Sequence, residues 1–303
     1  MVEINKIHTY TGHKGAVYSI ERGATSNIFY SSGADGQIIE WDLNNLENGR
    51  LIAKLPTSVY ALRFIPMYNT LVIGQNFEGI HLIDVSNRKE IGSLKTTQSQ
   101  IFDIQMIGDG ILIGTGDGCL IEVGLNDLKI RKQVTLSEVS LRTIAVMAGG
   151  NEIACGFSDN SFRIVDSQDF EVKKVNEGHE KSIFSGVFSP DNKLYLTGSR
   201  DAHLKFWDVD QNYTLKQSIV AHMYAINHIS FHPNGEYFAT ASMDKTIKIW
   251  NYERRKLLKV IDKARHNGHL TSVNKLYWSD FNNYLISASD DRSLSVWDIK
   301  VTS

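Results

Sequence analysis

A repeated unit is the feature that most limits how this chain can fold. Four tryptophans and three aliphatic residues stand at equivalent places in seven successive copies: Trp41, Ile83, Val123, Val165, Trp207, Trp250 and Trp297. The steps between them are 42, 40, 42, 42, 43 and 47 residues, which is the period of four-stranded sheets arranged around a common axis. One sheet of this size leaves both of its faces without a partner, so the copies must pack against one another.

The clearest copy covers residues 178–208 and shows the pattern of β-strands. Its sequence, GHEKSIFSGVFSPDNKLYLTGSRDAHLKFWD, contains three short apolar runs separated by turn-forming residues. In the third run Leu204 and Phe206 alternate with Lys205, which places the two apolar side chains on one face of a strand. The sequence therefore predicts an all-β chain, a seven-bladed β-propeller of four-stranded antiparallel blades.

The two ends of the chain are expected to lie in the same blade. A lone β-like segment from Ile4 to Tyr10 precedes the first copy, and the last copy continues for five residues beyond Asp298 without a fourth strand. The N-terminal strand can complete the last blade and close the ring, which removes two open sheet edges. The sequence thus predicts a single domain over residues 1–303.

Four copies carry motifs that resemble the WD40 repeat family. They read GHKGAVYSI…SSGADGQIIEWD, GHEKSIFSGVFSPD…SRDAHLKFWD, AHMYAINHISFHPNG…SMDKTIKIW and GHLTSVNKLYWSD…SDDRSLSVWD. The resemblance covers essentially the whole chain: repeats one, five, six and seven match strongly, and repeats two to four, at roughly residues 56–165, are degenerate. It implies a propeller with a narrow central channel, but no particular activity, because the family mostly provides binding surfaces.

The resemblance also implies a structural hydrogen-bond set of His, Ser or Thr, Asp and Trp in each strong repeat. The matching residues are His13, Asp35 and Trp41; His179, Ser199, Asp201 and Trp207; His222, Ser242, Asp244 and Trp250; and His269, Ser289, Asp291 and Trp297. In the first repeat Gly33 stands where the Ser is expected. Repeats two to four lack the His and the Trp, although Asp117 and Asp159 remain. These blades are expected to be the least stable part of the ring.

Composition and charge argue against several classes of protein. The chain has 32 Lys and Arg against 34 Asp and Glu, so it has no overall attraction to nucleic acid or acidic membranes. No segment approaches the roughly 18 apolar residues of a membrane-spanning helix, and the first ten residues lack the layout of a signal peptide. Cys119 and Cys155 are expected to be buried thiols in a reducing compartment. A cytoplasmic protein without membrane contact is predicted.

The sequence offers little for catalysis. It contains no HExxH, no paired CxxC and no glycine-rich phosphate loop, so we expect no enzyme activity, no metal and no cofactor. His228 and His232 flank a predicted first strand, where a structural or surface role is expected. The basic run from Glu253 to Lys256 fits an outer strand of blade six, because edge Lys and Arg discourage strand addition. Nucleic-acid binding would require stacking aromatics beside the basic residues, and the run lacks them.

The resemblance also implies a binding face on the upper rim of the propeller. The apolar residue that begins the first strand of each blade is called its anchor, and residues next to the anchors are expected to point into this rim. The candidates are Tyr18, Tyr60, Phe102, Arg142, Phe184, Asn227 and Asn274 just after the anchors, Arg200 and Met243 just before turn aspartates, and Lys263 and Arg265 in the longest connection between repeats. Aromatic residues and Arg are enriched at interface hot spots. The alternative is that these aromatics plug the channel mouth or pack between blades. The degenerate turn from Gln75 to Glu78 lies on the same predicted rim.

The predicted function is a non-enzymatic protein-interaction scaffold or adaptor that binds a protein or peptide on the top face. One alternative is a propeller enzyme or small-ligand binder that uses the central channel. Another is a reader of nucleic acid or of a ubiquitin-like modifier through a basic lip of Lys263, Arg265 and His266, in the longest step between repeats. An acidic or phosphorylated peptide would suit Arg142 and Arg200 together with that lip. The sequence leaves the partner's identity and the oligomeric state open.

Overall fold

The computed structural model describes residues 2–301, with only the backbone of Asn48 described. The first fourteen strands are β1 (Val2–Thr11), β2 (Val17–Arg22), β3 (Ile28–Gly33), β4 (Gln37–Asp42), β5 (Asn45–Lys54), β6 (Leu62–Ile65), β7 (Thr70–Gln75), β8 (Gly79–Asp84), β9 (Lys89–Lys95), β10 (Ile101–Ile107), β11 (Gly110–Thr115), β12 (Cys119–Gly124), β13 (Ile130–Thr135) and β14 (Leu141–Val146). The remaining strands are β15 (Glu152–Phe157), β16 (Ser161–Asp166), β17 (Val172–Glu177), β18 (Ile183–Phe188), β19 (Leu194–Ser199), β20 (His203–Asp208), β21 (Thr214–Val220), β22 (Ile226–Phe231), β23 (Tyr237–Ser242), β24 (Ile247–Asn251), β25 (Lys256–Ile261), β26 (Val273–Trp278), β27 (Leu285–Ser289) and β28 (Ser293–Val301).

These strands form seven four-stranded antiparallel sheets, the blades of a β-propeller. Blades one to six take four consecutive strands each, from β2–β5 to β22–β25. Blade seven has the order β1-β28-β27-β26, so the N-terminal strand supplies its outer edge. In that pairing Val2 lies opposite Val301 and Tyr10 opposite Leu294. The predicted fold class and the predicted closure by the N-terminal strand are both confirmed.

The burial pattern explains why each blade needs neighbours. Middle strands such as β7, β11 and β19 are buried at every position, whereas the outer strands β13 and β21 alternate between exposed and partly buried residues. A strand that is covered on both faces reads as a continuous apolar run. Small residues allow the close approach: a Cβ on Gly156 in β15 would lie 2.9 Å from Ile183 of the next blade. The stacked sheets therefore share their cores.

The described residues fall into two compact units. The first unit comprises residues 2–59 and 227–301, which hold blades one, six and seven, and the second comprises residues 60–226, which hold blades two to five. In the first unit an apolar cluster that includes Tyr10, Val17 and Leu294 joins blades one and seven. In the second unit one cluster joins blades two and three, a second joins blades three and four, and a third joins blades four and five. Each unit is thus a row of blades with shared cores.

The helical segments are short and lie between strands. A 3-10 turn covers Pro66–Tyr68, and helix α1 covers Lys263–His266 in the longest connection between repeats. The Asp262 side chain accepts a hydrogen bond from the backbone N–H of Arg265 and so caps the start of α1. Neither helical segment in residues 2–301 is long and apolar enough to cross a membrane.

Candidate partner-binding face

Blades one, five and seven each hold a hydrogen-bond set that fixes the entering loop to the sheet. In blade five, His179 Nδ1 lies 2.8 Å from Asp201 Oδ2 and Nε2 lies 2.8 Å from Thr197 Oγ1. The Trp207 indole N–H donates to the same Thr197 oxygen at 2.8 Å. Blades one and seven repeat this geometry with the sets His13, Asp35, Ser31 and Trp41, and His269, Asp291, Ser287 and Trp297. In blade six Trp250 donates to Thr240 at 2.9 Å, and His222 is buried.

The hydroxyl of each set lies two residues before the one predicted from the sequence. Ser199 and Ser289 instead accept the backbone N–H of Asp201 and Asp291, both at 3.1 Å, and Ser242 does the same for Asp244 at 3.0 Å. The cause is the strand pairing. Trp207 pairs with Tyr195 on the neighbouring strand, and Thr197 is the next residue on the same face, within reach of the indole nitrogen. Ser199 lies two residues further along the strand and is out of reach. In blade one Ser31 supplies the hydroxyl for the same reason. The hydrogen-bond set of that blade is therefore complete, although Gly33 stands at the position predicted for the hydroxyl.

The network assigns one protonation state to these sets. The Asp201 carboxylate can only accept, so His179 Nδ1 carries a proton and donates to it. Nε2 of the neutral ring then accepts from the Thr197 hydroxyl, which itself accepts from the Trp207 indole N–H. Burial lowers the pKa of His179 despite the nearby carboxylate. Burial alone would raise the pKa of Asp201, but hydrogen bonds from His179 and two backbone N–H groups hold it well below its usual range. The set is therefore a neutral imidazole beside a carboxylate.

The degenerate blades replace the set with smaller groups. Thr97 and Ser137 stand four residues before the anchors Ile101 and Leu141, the place that His179 takes before Ile183. Ser137 Oγ donates to Asp159 at 2.9 Å, and Arg163 pairs with the same carboxylate at 2.9 Å. Apolar Val123 and Val165 are fully buried at the Trp position. Blade four thus keeps a link from the entering loop to its Asp, and both blades lose the indole.

Hydrogen exchange should separate these blades within the second unit. We expect the amides of β12 and β16 to exchange faster than those of β20, because blades three and four lack the indole and imidazole that join strands and loop in blade five. Exchange mass spectrometry of the native protein measures this. Equal or slower exchange in β12 and β16 would contradict the expectation.

Four predicted partner-binding residues form one stack in the second unit, which we call the rim stack: Tyr60, Phe102, Arg142 and Phe184. The rings of Tyr60 and Phe102 have centroids 5.6 Å apart. The Arg142 guanidinium carbon lies 3.9 Å from the Phe102 centroid and 5.0 Å from the Phe184 centroid. Both distances are within the range of cation–π attraction. The sequence placed these residues at equivalent positions of blades two to five, and the structure brings them into contact.

The charged member of the rim stack is half-buried and has its faces covered. Burial lowers the pKa of Arg142, an effect that nearby Tyr60 opposes, but a guanidinium stays charged. Among residues 2–301, no carboxylate, carbonyl or hydroxyl forms a hydrogen bond or ion pair with it. Its N–H edge is therefore available to an acceptor from outside the chain.

Backbone and serine hydrogen bonds hold the edge that carries the rim stack. Ser140 Oγ donates to the carbonyl of Gly116 at 3.0 Å, and Ser182 Oγ donates to that of Ser158 at 3.2 Å. The backbone N–H of Ser158 in turn donates to the carbonyl of Ser140 at 3.0 Å. This chain of bonds links blades three, four and five beside the first strands. The rim stack is thus displayed on a rigid support.

In the first unit the equivalent positions serve a different purpose. Asn227 Nδ2 donates to Ser272 Oγ and to the Val273 carbonyl, both at 2.9 Å, and so joins blades six and seven. Asn274 Nδ2 donates to the Val17 carbonyl at 3.0 Å and to Asp290 Oδ1 at 2.7 Å, which joins blades seven and one. Both amides already make contacts between blades. Tyr18 at the corresponding place in blade one is partly exposed.

The other predicted residues differ in how available they are. Arg200 is exposed at the edge of blade five, where its backbone N–H bonds the Ser182 carbonyl at 2.9 Å, and its side chain has no hydrogen bond or ion pair within residues 2–301. Met243 is 56% exposed. The Arg265 guanidinium is held by Asp262 Oδ2 at 2.6 Å, and Lys263 Nζ donates to Asn267 Oδ1 at 2.6 Å. The predicted basic lip is therefore partly neutralised.

Sequence reasoning missed Phe77 as an individual candidate. This ring is 49% exposed, and its backbone φ of 68° lies in the left-handed region, like Gly36 and Gly118 at the same turn position. Ala202, Lys245 and Arg292 adopt the same left-handed conformation at this turn position of blades five to seven, so the exposed aromatic ring of Phe77, and not its backbone, makes it a candidate. The irregular turn from Gln75 to Glu78 was the available signal.

Among the polar residues that link first strands, sequence reasoning missed Asp103 and Thr143, whereas a structural or surface role was predicted for His228. Asp103 Oδ2 accepts the backbone N–H of Ile144 at 2.7 Å, and Thr143 Oγ1 accepts that of Gly186 at 3.1 Å. His228 Nδ1 accepts the N–H of Leu276 at 3.3 Å, and burial lowers its pKa, so the ring is neutral. Each stands two residues after its anchor. His228 therefore has a structural role.

Within residues 2–301, neither the cysteines nor a group of metal-binding side chains forms a second candidate site. Cys119 and Cys155 are buried and unpaired, as predicted, and burial raises the pKa of the Cys155 thiol. Within residues 2–301, no group of three or more His, Cys, Asp or Glu side chains is placed to hold a metal ion.

Comparison with known proteins agrees with the repeated architecture. The WD40 family profile, described as "WD domain, G-beta repeat", matches residues 4–42, 170–208, 213–251 and 261–298, which is 155 of the 303 residues. The chain belongs to the WD40 family. The four matches are the repeats that resemble the family most strongly, and the three degenerate blades lie between the first and the second match.

Curated relatives of this WD40 chain are distant. It is 24% identical over 210 residues to "WD repeat-containing protein SL1-17" of Schistosoma mansoni, which covers 68% of this chain and 55% of that protein. It is 26% identical over 217 residues to "Eukaryotic translation initiation factor 3 subunit I" of Saccharomyces cerevisiae, with 70% and 55% covered. It is 26% identical over 234 residues to "Nuclear distribution protein nudF 1" of Talaromyces marneffei, with 67% and 51% covered. The chain spans about half the length of these relatives. WD40 propellers are typically protein-interaction scaffolds.

Proposed function

We propose that this WD40 chain is a non-enzymatic scaffold that binds an acidic segment of a partner protein on the rim stack. The observation that carries the proposal is Arg142, held between Phe102 and Phe184 with its N–H edge unbonded within residues 2–301. A planar guanidinium presents paired donors that match a carboxylate. Exposed Arg200 on blade five adds a second cation without an internal partner. The partner chemistry that fits is therefore an Asp or Glu side chain.

The aromatic residues would supply the rest of the binding energy. Tyr60, Phe102 and Phe184 are each partly exposed, and Phe77 presents half of its surface on the neighbouring turn. Aromatic anchors next to an Arg are typical of the central residues of protein interfaces. The two free, buried cysteines support a reducing compartment, so we place the protein in the cytoplasm.

Affinity capture with matched variants tests the proposal. Tagged wild-type protein should retain a partner that Arg142→Ala and Phe102→Ala retain at least about 10-fold less, because hot-spot truncations cost 2 kcal/mol or more. The control is Val175→Ala, at a 50% exposed position on the outer strand of blade four, which should capture the partner as wild type does. Phe77→Gly keeps the left-handed turn and should weaken capture without loss of melting temperature.

Salt and charge variants test the acidic character of the partner segment. Arg142→Lys keeps the charge but loses the planar donor pair and the stacking, so we expect most of the affinity to be lost. Binding should also weaken as salt is raised. Equal capture by wild type, Arg142→Ala and Phe102→Ala would reject the rim stack as the binding face. Binding insensitive to salt and to Arg142→Lys would reject an acidic segment while leaving an apolar one.

A further inference from the structure

A crevice opens beside blade three, away from the residues of the rim stack. Its volume is about 310 Å³, and it lies between the loop that enters the blade and the strands β12 and β13. Ile121 and Cys119 form a buried floor, and Gln98, Asp117 and Gln133 line the exposed mouth. Thr96 in the loop forms the opposite wall. Apolar and polar groups thus face each other across a small gap.

Comparison of the blades shows what this space replaces. Thr96 precedes Thr97, just as Gly178 precedes His179 in blade five. In blade five the indole fills the space in front of this position, since a Cβ on Gly178 would lie 2.6 Å from Trp207 Cη2. In blade three the residue at the Trp position is Val123, which is fully buried and much smaller. The crevice therefore borders the place of the missing indole, although Val123 itself is not among its lining residues.

Blade four lost the same indole, but a larger side chain stands beside the gap. There the residue at the glycine position is Leu136, which packs against the cluster that contains Val165 and Phe170. Thr96 cannot fill the space in the same way. Its Oγ1 is buried and has no hydrogen-bond partner within residues 2–301, a condition that destabilises a folded chain unless a ligand or water satisfies it.

We propose that this crevice binds a flat aromatic ring that carries one hydrogen-bonding N–H or O–H, of the size of an indole. An apolar cavity of about 150 Å³ holds a benzene molecule, so about 310 Å³ accommodates a two-ring system. The ring lies on Ile121, and its polar atom bonds the Thr96 hydroxyl or the carboxylate and amides at the mouth. This site does not depend on the function proposed for the rim stack.

Titration of the isotope-labelled full chain with indole alone tests the site. Wild-type protein should show saturable shifts of the Thr96, Cys119 and Ile121 backbone amide signals. Thr96→Leu copies the residue of blade four and should remove these shifts by filling the crevice, with an unchanged or higher melting temperature. Thr96→Val keeps the shape without the hydroxyl and should weaken binding about 3- to 10-fold. Absence of saturable shifts in wild type, or equal binding by Thr96→Leu, would overturn the proposal.

A second titration distinguishes the two sources of such a ring. N-acetyl-tryptophan amide stands for a tryptophan side chain of a partner protein, and indole stands for a free small molecule. If both compete for the same signals, the crevice accepts a side chain of a partner. If only indole binds, the site is one for free aromatic compounds. If neither binds, the proposal is wrong.

Discussion

Replacing Trp207 with Ala should lower the free energy of unfolding by about 4 kcal/mol, the range seen for buried Trp and Phe truncations. Its indole is 4% exposed and lies 5.0 Å from the Phe162 ring in a core shared by blades four and five. Truncation removes this packing and also leaves the Thr197 hydroxyl without its donor. Urea unfolding followed by circular dichroism at pH 7 measures the loss.

Two further variants make the Trp207 result specific. Trp207→Phe keeps one aromatic ring but loses the N–H and part of the packed volume, so it should cost about 2 kcal/mol, less than Trp207→Ala. Leu215→Ala truncates an apolar side chain that is 48% exposed on the outer strand of the same blade and should cost about 0.5 kcal/mol or less. A loss below about 1.5 kcal/mol for Trp207→Ala would show that the hydrogen-bond set does not hold blade five together.

Replacing Asp201 with Asn should lower the free energy of unfolding at pH 7 by about 2–3 kcal/mol. The carboxylate accepts hydrogen bonds from His179 at 2.8 Å and from the backbone N–H groups of Glu180 and His203, both at 2.9 Å. Hydrogen bonds to a charged acceptor each contribute about 1.5–3 kcal/mol, and an amide weakens all of them without emptying the site. The same urea titration gives the value.

The effect of Asp201→Asn should depend on pH in one direction. The pKa of Asp201 is lower in the folded chain than in the unfolded chain, so the carboxylate stabilises the fold above the unfolded pKa of about 3.9. This contribution is lost as the pH falls through the folded pKa. The pKa of His179 is also lowered in the folded chain, so protonation of the unfolded imidazole below about pH 6.5 lowers stability further. Because both proteins contain His179 and only wild type contains the carboxylate, the difference between them should shrink as the pH falls below about 3.9.

A surface carboxylate provides the control for the pH experiment. Asp208 pairs with Lys216 at 2.7 Å on the exterior of the same blade. Asp208→Asn should leave the urea midpoint at pH 7 nearly unchanged, since exposed ion pairs contribute little. A gap between wild type and Asp201→Asn that stays constant from pH 7 to pH 3 would contradict a depressed pKa for Asp201 as its source.

The architecture could be predicted because the residues that define it are the ones that repeat. Trp41, Trp207, Trp250 and Trp297 are large and buried, and together with Ile83, Val123 and Val165 they recur at steps of 40 to 47 residues, so the blade period is visible without any structure. The closing strand was predictable as well, since an extended segment from Ile4 to Tyr10 had no partner in the first copy. Both features depend on local pattern alone.

Details that depend on strand register could not be predicted from the same pattern. Thr197 and Ser199 both precede Trp207, both carry a hydroxyl and both lie on one face of β19, so only the pairing of Trp207 with Tyr195 decides between them. The turn bonds of Ser199 explain why it looked like a member of the set. A shift of two residues leaves the face unchanged, so hydrophobic alternation cannot detect it.

The candidate site was predictable as positions but not as contacts. Phe102, Arg142 and Phe184 occupy the same repeat position as Asn227 and Asn274. The first three stack on one another, whereas the two amides bond the backbone of the next blade. Side-chain length and chemistry decide this difference, and a single sequence does not show which neighbour each side chain meets.

Site-specific photo-crosslinking tests most directly whether the rim stack binds a partner. A photoreactive phenylalanine analogue replaces Phe77 beside the rim stack or, as the matched control, Leu215 on the outer strand of blade five. Both positions are about half exposed, at 49% and 48%, so neither should disturb folding. We expect the captured partner to crosslink from position 77 through a segment that contains Asp or Glu, and not from position 215. Capture of the partner with crosslinks from position 215 alone, or from neither position, would contradict the account.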